Sequence, residues 1–135
     1  MPSKHPVIQL RRSGVHKCYC QAAPLTTALS NAWLPPDMNV VQLARLNKFR
    51  EFLKFDRPSV KRVVLELTPD SMADAREYAR FREYLIRGRQ DQPRAGVALE
   101  MESQGYKVFI LPPGQEARWL GYSGDMMVAV IRSSW

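Results

Sequence analysis

Three arginines within eight residues are the side chains of this sequence best suited to binding chemistry. Arg87, Arg89 and Arg94 lie in the segment RGRQDQPR, which joins a predicted helix to a predicted strand. A guanidinium group presents its donors in a planar fork, and this fork matches the oxygens of phosphate and carboxylate groups. Arg87 and Arg89 have a structural explanation, because cations at a helix C-terminus interact favourably with the helix dipole. Arg94 follows Pro93 and opens a strand, so an anion-binding site is the alternative explanation for it.

Residues that could catalyse a reaction or hold a metal ion are sparse. The sequence has no glycine-rich phosphate loop, no His-Glu-x-x-His and no serine in a nucleophile elbow, and its histidines are His5 and His16. Cys18 and Cys20 fall on one face of a predicted strand about 7 Å apart, too far for an unstrained disulfide. We therefore predict a protein that is not an enzyme, with no cofactor and no metal, and with both thiols reduced in the core.

The overall composition indicates a single globular domain with an anionic partner. The chain has 135 residues, 45% of them hydrophobic, and a formal net charge of +7. It contains neither the apolar run of a membrane span nor a signal peptide at its start. We predict one domain over residues 1–135, with residues 1–6 left out of the fold argument as a linker. The positive charge favours an acidic or phosphorylated partner, either protein or nucleic acid.

The pattern of apolar residues predicts a β-rich α+β fold. Because adjacent strands suit antiparallel pairing, and two helices cannot cover both faces of a parallel sheet, we predict a mixed, mainly antiparallel sheet curled into a barrel with helices packed outside. The helix that begins after Thr68-Pro69-Asp70 is predicted to pack through Met72, Ala75 and every third or fourth residue up to Leu85. The predicted strands cover residues 7–12, 15–23, 38–42, 59–69, the hairpin within 94–113 and 125–132, and the predicted helices cover 42–55, 70–87 and one turn at 114–119.

Several segments, in order, resemble a known family. RAGVA followed by YKVFILPP resembles the signature of SPOC domains, the carboxy-terminal modules of Spen-type transcription and RNA-processing regulators. The segments HKCYCQAA, WLPPDMNVVQLARLNKF, EYARFREYL and DMMVAVIR are similar to plant-type members, and together the resemblance covers residues 7–132. It implies a distorted barrel of about seven strands with helices around it, in a monomeric, nuclear domain that is part of a longer protein.

The resemblance also implies a function and a site. SPOC domains bind peptides, and several read phosphoserine peptides on a basic patch, including corepressor tails and the RNA polymerase II carboxy-terminal repeat. Related roles include transcription control and RNA 3′-end formation. The implied peptide- or phosphate-binding residues are Arg11, Arg12, Arg45, Arg87, Arg89, Arg94, Tyr78 and Tyr106.

We expect different roles for individual residues of this patch. Arg94 matches the basic residue before Gly-Val-Ala, and Tyr106, expected beside it on the next strand, matches a groove tyrosine. Tyr78 matches a surface aromatic of plant-type domains, although its helical spacing equally suits the core. Val40 stands where phosphopeptide-reading members have an arginine, and Arg45, expected on the following helix, is the candidate to replace that charge.

A second class of function stays open at this point. A small basic barrel could bind single-stranded RNA, with Tyr19, Tyr106 and Tyr122 as stacking platforms. A purely structural assembly module is the third alternative. Comparing the affinities for single-stranded RNA and for acidic or phosphorylated peptides would separate the first two.

Overall fold

Seven strands close into a barrel in the part of the chain that the structure describes. The computed structural model describes residues 6–25, 35–47, 51 and 62–133. In chain order the strands are β1 (Val7–Arg12), β2 (Val15–Pro24), β3 (Asp37–Arg45), β4 (Arg62–Pro69), β5 (Arg94–Ala98), β6 (Tyr106–Leu111) and β7 (Met127–Ser133).

The order of strands around the barrel is β1-β2-β4-β7-β6-β5-β3. All neighbours pair in antiparallel fashion except β1 and β3, which are parallel. Because the barrel is closed, none of these seven strands presents a free edge for pairing with another chain. The predicted mainly antiparallel barrel of about seven strands is therefore confirmed.

Two helices whose full length lies within the described residues pack on this barrel, together with one short 3₁₀ turn. Helix α1 covers Met72–Arg87, the 3₁₀ turn covers Glu102–Gln104, and α2 covers Gln115–Trp119. Among the described residues no helix is long and apolar enough to cross a membrane.

The main core fills the barrel interior and continues under α1. Every second residue of each strand points inward, and α1 contributes Tyr78, Phe81 and Leu85. The prediction that Met72 and Ala75 also pack against the core was wrong: Met72 is 95% exposed and Ala75 is exposed. Met72 and Ala75 lie on the solvent side of this turn, whereas Asp74 of the same turn contacts β2.

A second core lies on the outer face of the sheet. Val64, Val130 and Phe109 sit side by side on β4, β7 and β6, and they are buried together with Ala117 of α2 and with Tyr122. Strand β7 thus has cores on both of its faces, as its nearly continuous apolar sequence predicted.

Helix α1 begins later than predicted. Strand β4 continues through Pro69, and Ser71 is the N-cap, with its hydroxyl donating to Asp74 Oδ2 at 2.7 Å. The backbone N–H of Tyr19 donates to Asp74 Oδ1 at 2.9 Å, and this bond is the main reason that the pKa of Asp74 is lowered. Strand pairing with β2, through Gln21↔Thr68 and Cys20↔Pro69, overrides the cap signal at Thr68-Pro69-Asp70.

Strand β3 is longer than predicted, and it replaces the start of a predicted helix. Residues 42–45 were expected in a helix over 42–55 but continue β3, which pairs with β5 as far as Arg45. Residues 46, 47 and 51 are helical, and the rest of that prediction lies outside the described residues. Ladder bonds to β5 satisfy the backbone here, so the helical periodicity is overridden.

The two cysteines occupy neighbouring inward positions of β2. Cys18 and Cys20 are both buried and free, with their sulfur atoms 3.8 Å apart. The hydrogen bond with Cys18 and burial raise the pKa of the Cys20 thiol, so Cys20 stays protonated. The predicted pair of reduced core thiols is confirmed.

Candidate functional site

Two arginines face each other on adjacent strands at one end of the barrel. The β3–β5 register pairs Arg45 directly with Arg94 and Leu43 with Gly96. Directly opposite residues have Cβ atoms about 4.5–5.5 Å apart, and like charges in such positions repel each other. In the described part of the chain neither arginine forms an ion pair. The pair therefore concentrates positive charge that no ion pair among the described residues neutralises.

Arg94 is the less accessible of the two. It is only 8% exposed, and its Nε is buried without a hydrogen-bond partner among the described residues. A buried donor left unsatisfied costs about 1–3 kcal/mol, and more for a charged group. Such a cost is tolerated where a ligand supplies the missing acceptor.

The end of α1 holds the Arg94 side chain in place. Gly88 follows the helix at φ +54°, and its N–H donates to the Tyr84 carbonyl at 2.9 Å. A Cβ at Gly88 would lie 2.7 Å from Arg94 Cγ and 1.8 Å from the Gln92 carbonyl oxygen. Only a glycine permits this approach of the helix end to the base of the Arg94 side chain.

A tight turn joins this helix end to β5. Arg89 and Gln92 exchange two backbone hydrogen bonds, of 3.0 and 3.1 Å, around Gln90 and Asp91. Both central residues have positive φ, 53° and 59°, as type I′ turns require. The turn brings Gln90 and Gln92 into the lining of the same cavity as Arg94.

An open cavity of about 470 Å³ lies over the arginine pair. We call it the arginine pocket. Its wall combines the two guanidinium groups with side-chain amides, which donate hydrogen bonds, and it includes a single carboxylate, that of Glu116. The lining residues are Arg45, Leu46, Asn47, Gln90, Gln92, Pro93, Arg94, Gln115 and Glu116.

A second cation, Arg12 at the end of β1, contacts Tyr84, which lies one helical turn before Gly88 in α1. The Arg12 guanidinium is 3.8 Å from the centre of the Tyr84 ring, and Tyr84 in turn meets Phe81 edge to face at 6.0 Å. A cation over an aromatic ring at a partly exposed site is stabilised by about 0.5–1 kcal/mol. Tyr84 was not predicted as a site residue. Its position three residues after Phe81, which places the two rings on the same side of a helix, was the available signal.

Half-buried Leu43 lies on the same strand face as Arg45, level with Gly96. A Cβ on Gly96 would contact Leu85 of α1 and Val40 of β3, so α1, β5 and β3 meet at this glycine. The surface between α1 and β3 therefore has cations near both ends and an apolar patch between them.

The other predicted arginines are placed differently. Arg11 points away from α1 and is engaged by Asp37 at 3.3 Å and by the Gln9 side-chain oxygen at 3.2 Å. Arg87 is 80% exposed and pairs with Glu83 at 3.2 Å, and Arg89 is exposed in the turn. The placement of Arg87 and Arg89 fits the helix-end role.

The structure separates the two predicted tyrosines from the arginine pair. Tyr78 is 2% exposed, and its hydroxyl donates to the Leu67 carbonyl and accepts the Met127 N–H, so it is a core residue. Tyr106 is not beside Arg94: the register Ala98↔Val108 puts them at opposite ends of the β5–β6 hairpin, about 20 Å apart at 3.3 Å per residue. Both strand starts were identified in the sequence, but antiparallel pairing places them apart.

The three tyrosines proposed as stacking platforms do not form one surface. Tyr122 is buried, with its hydroxyl donating to Glu66 at 2.8 Å and accepting from the Met126 N–H at 3.0 Å. Burial is the main reason that the pKa of Tyr122 is raised. Tyr19 is exposed on β2, whereas Tyr106 lies on β6, and these strands are separated by β4 and β7.

Comparisons with known proteins identify the class. The family model of the SPOC domain matches residues 9–124, so the chain belongs to the SPOC domain family, a family of protein-interaction domains rather than catalysts. Among solved structures, the SPOC domain of human PHD-finger protein 3 (PHF3) matches with a TM-score of 0.76 at 16% sequence identity, covering 97% of each chain. At this identity the likeness shows the fold. The comparison with curated proteins returned no match.

Proposed function

We propose that this SPOC domain binds acidic or phosphoserine-containing peptides, with the arginine pocket as the anion site. The observation that carries the proposal is the buried, unpartnered Nε of Arg94 directly opposite Arg45. A phosphoserine adds nearly two negative charges and three acceptor oxygens, and a pair of guanidinium forks matches these well.

The peptide would run from the pocket along the surface between α1 and β3. A phosphate or carboxylate would occupy the pocket, an apolar side chain would contact Leu43, and a second acidic group would lie near Arg12. Docking side chains at intervals along a groove is how extended peptides are recognised with specificity.

The burial of Val40 supports the assignment of phosphate binding to Arg45 and Arg94. Val40 is 2% exposed in the barrel core, so an arginine there would bury its charge. Arg45 lies on β3 itself rather than on the following helix, and its exposed side chain is free to reach a ligand together with Arg94. We therefore expect the phosphate to be read by Arg45 and Arg94 despite the valine.

The proposed setting follows from the family. Ligands of this kind include the RNA polymerase II carboxy-terminal repeat and corepressor tails, and we place the domain in a longer nuclear protein that regulates transcription or RNA processing. The likeness to a domain of PHD-finger protein 3 is consistent with this setting.

The test compares phosphorylated and unphosphorylated forms of one acidic serine-containing peptide by isothermal titration calorimetry. We expect the phosphorylated form to bind at least about tenfold more tightly and Arg45→Glu to remove most of this difference, since one of the two guanidinium groups is replaced by an anion. Arg94→Gln should act in the same direction. Arg76→Glu, at an exposed position in the first half of α1, makes the same charge change away from the pocket and should leave affinity within about twofold.

Three results would contradict the proposal: equal affinity for both peptides, unchanged affinity in Arg45→Glu, or an equal loss in Arg76→Glu. Because Arg94 is buried, its variant is interpreted only together with a thermal unfolding curve. Arg45 is exposed, so its variant tests the pocket without threatening the fold.

A further inference from the structure

A row of three cations crosses the outer face of the barrel, away from the arginine pocket. The β4–β7 register pairs Arg62 with Arg132, and the β6–β7 register pairs Arg132 with Lys107. All three side chains share the outer face, because their neighbours two residues along, Val64 and Val130 among them, belong to the outer core. We call Arg62, Arg132 and Lys107 the basic row.

The basic row is an unusual arrangement for a sheet that only has to fold. Like charges on directly opposite residues destabilise strand pairing, and here two such pairs share one residue. Lys107 is exposed, and in the part of the chain that the structure describes the Nη1 of half-buried Arg62 is buried without a hydrogen-bond partner. Arg132 is engaged within the protein, yet its charge still adds to the local field.

The row and the arginine pocket are separate surfaces. Arg94 opens β5, whereas Lys107 lies near the start of the antiparallel β6, about five residues away along the ladder, or roughly 17 Å. The row also faces outward, while Arg94 shares the strand face that carries Gly96 and Ala98 of the inner side. A ligand of one surface therefore need not touch the other.

The geometry points to the phosphate backbone of a single-stranded nucleic acid as the ligand of the basic row. Three cations at intervals of about 5 Å form a line that can follow a chain of phosphates without reading its sequence. The apolar row beside them, Val64, Val130 and Phe109, is covered by α2 and Tyr122, so a peptide would find no apolar side-chain pocket there. The surface is a flat sheet face rather than a protruding helix, so it does not enter a duplex groove.

Base stacking is not required for this binding. The tyrosines predicted as stacking platforms are buried or far apart, so binding would be electrostatic and largely independent of sequence. Such binding has a measurable signature, because each neutralised phosphate releases counterions and makes the affinity depend on salt.

The experiment measures fluorescence anisotropy of a labelled uridine-rich RNA and of a thymidine-rich DNA, each about 12 nucleotides long, at several salt concentrations. We expect both to bind, with log K falling against log[NaCl] at a slope of about −1.4 to −2.1 for two to three neutralised phosphates. Lys107→Glu should weaken binding at least about fivefold, and the slope should become shallower by about 0.7 because one phosphate fewer is neutralised.

Matched variants separate this site from general charge and from the peptide pocket. Arg76→Glu and Arg45→Glu carry the same charge change and should each leave nucleic-acid affinity within about twofold. Lys107→Glu should in turn leave phosphopeptide affinity unchanged. Arg62→Gln, which removes the unpartnered donor, should weaken nucleic-acid binding with a fold confirmed by circular dichroism.

The inference is overturned if neither oligonucleotide binds, or if Arg76→Glu weakens binding as much as Lys107→Glu. It is also overturned if Arg45→Glu abolishes nucleic-acid binding, which would assign the phosphates to the arginine pocket. Loss of phosphopeptide binding in Lys107→Glu, with nucleic acid unaffected, would assign the row to a protein ligand. The first three of these results do not bear on whether phosphorylation strengthens peptide binding in the arginine pocket.

Discussion

Replacing Gly88 by alanine tests how the end of α1 builds the arginine pocket. The backbone at Gly88 has φ +54°, where an L-residue costs about 1–3 kcal/mol. The new Cβ would also lie 1.8 Å from the Gln92 carbonyl oxygen and 2.7 Å from Arg94 Cγ, so the backbone must move. We expect Gly88→Ala to lower the free energy of unfolding by about 3–4 kcal/mol, within the range of severe single substitutions.

Gly14→Ala is the matched control. Gly14 also has positive φ, +85°, but a Cβ there meets nothing within 4 Å. Its substitution therefore carries only the backbone cost, about 1–2 kcal/mol. The two variants are compared by urea denaturation, and the additional loss in Gly88→Ala reports the close approach together with the rarer backbone conformation of Gly88.

A functional readout accompanies this measurement. If Gly88 positions Arg94, then phosphopeptide affinity in folded Gly88→Ala should fall at least about tenfold, whereas Gly14→Ala should bind as the parent does. Equal destabilisation by the two substitutions would refute the packing argument. Full peptide affinity in a destabilised Gly88→Ala would refute the link to Arg94.

Buried and terminal hydrogen bonds give two further predictions. Tyr78→Phe removes the partner of both the Leu67 carbonyl and the Met127 N–H in the core, and should cost about 2–4 kcal/mol in the free energy of unfolding measured by urea denaturation; a cost below about 1 kcal/mol would contradict this bonding. The pKa of Asp74 is lowered chiefly by the Tyr19 N–H, so its contribution is present above the unfolded-state pKa and is lost as pH falls through the lower folded-state pKa. Asp74→Asn should therefore destabilise modestly at pH 7 and less at pH 3 in thermal unfolding, and an equal loss at both values would contradict the assignment.

Much of the fold could be predicted from local pattern. The apolar run of β7 predicted a strand buried on both faces, and the spacing of Tyr78, Phe81 and Leu85 identified the buried side of α1. The Ser13-Gly14 turn between β1 and β2 was likewise readable, because these signals lie within a few residues of one another.

The same kind of signal failed where long-range pairing competed with it. The spacing of Leu43 and Leu46 predicts a helix, but the backbone at Leu43 is bonded into the ladder with β5. Thr68-Pro69-Asp70 predicts a helix start, but β4 continues through Pro69. In both places a local preference worth tenths of a kcal/mol per residue is outweighed by sheet pairing.

The sequence by itself determined that Arg94 required an explanation beyond a helix-end cation, and it identified the family. Tertiary structure alone decided its neighbours: Arg45 faces it, Gly88 packs on its side chain, and Tyr106 lies at the far end of the hairpin. Antiparallel register sets these distances, because a strand's direction and its partner's alignment depend on contacts between residues far apart in the chain. The same register lines up Arg62 and the rest of the basic row, in which no two members are neighbours in the sequence.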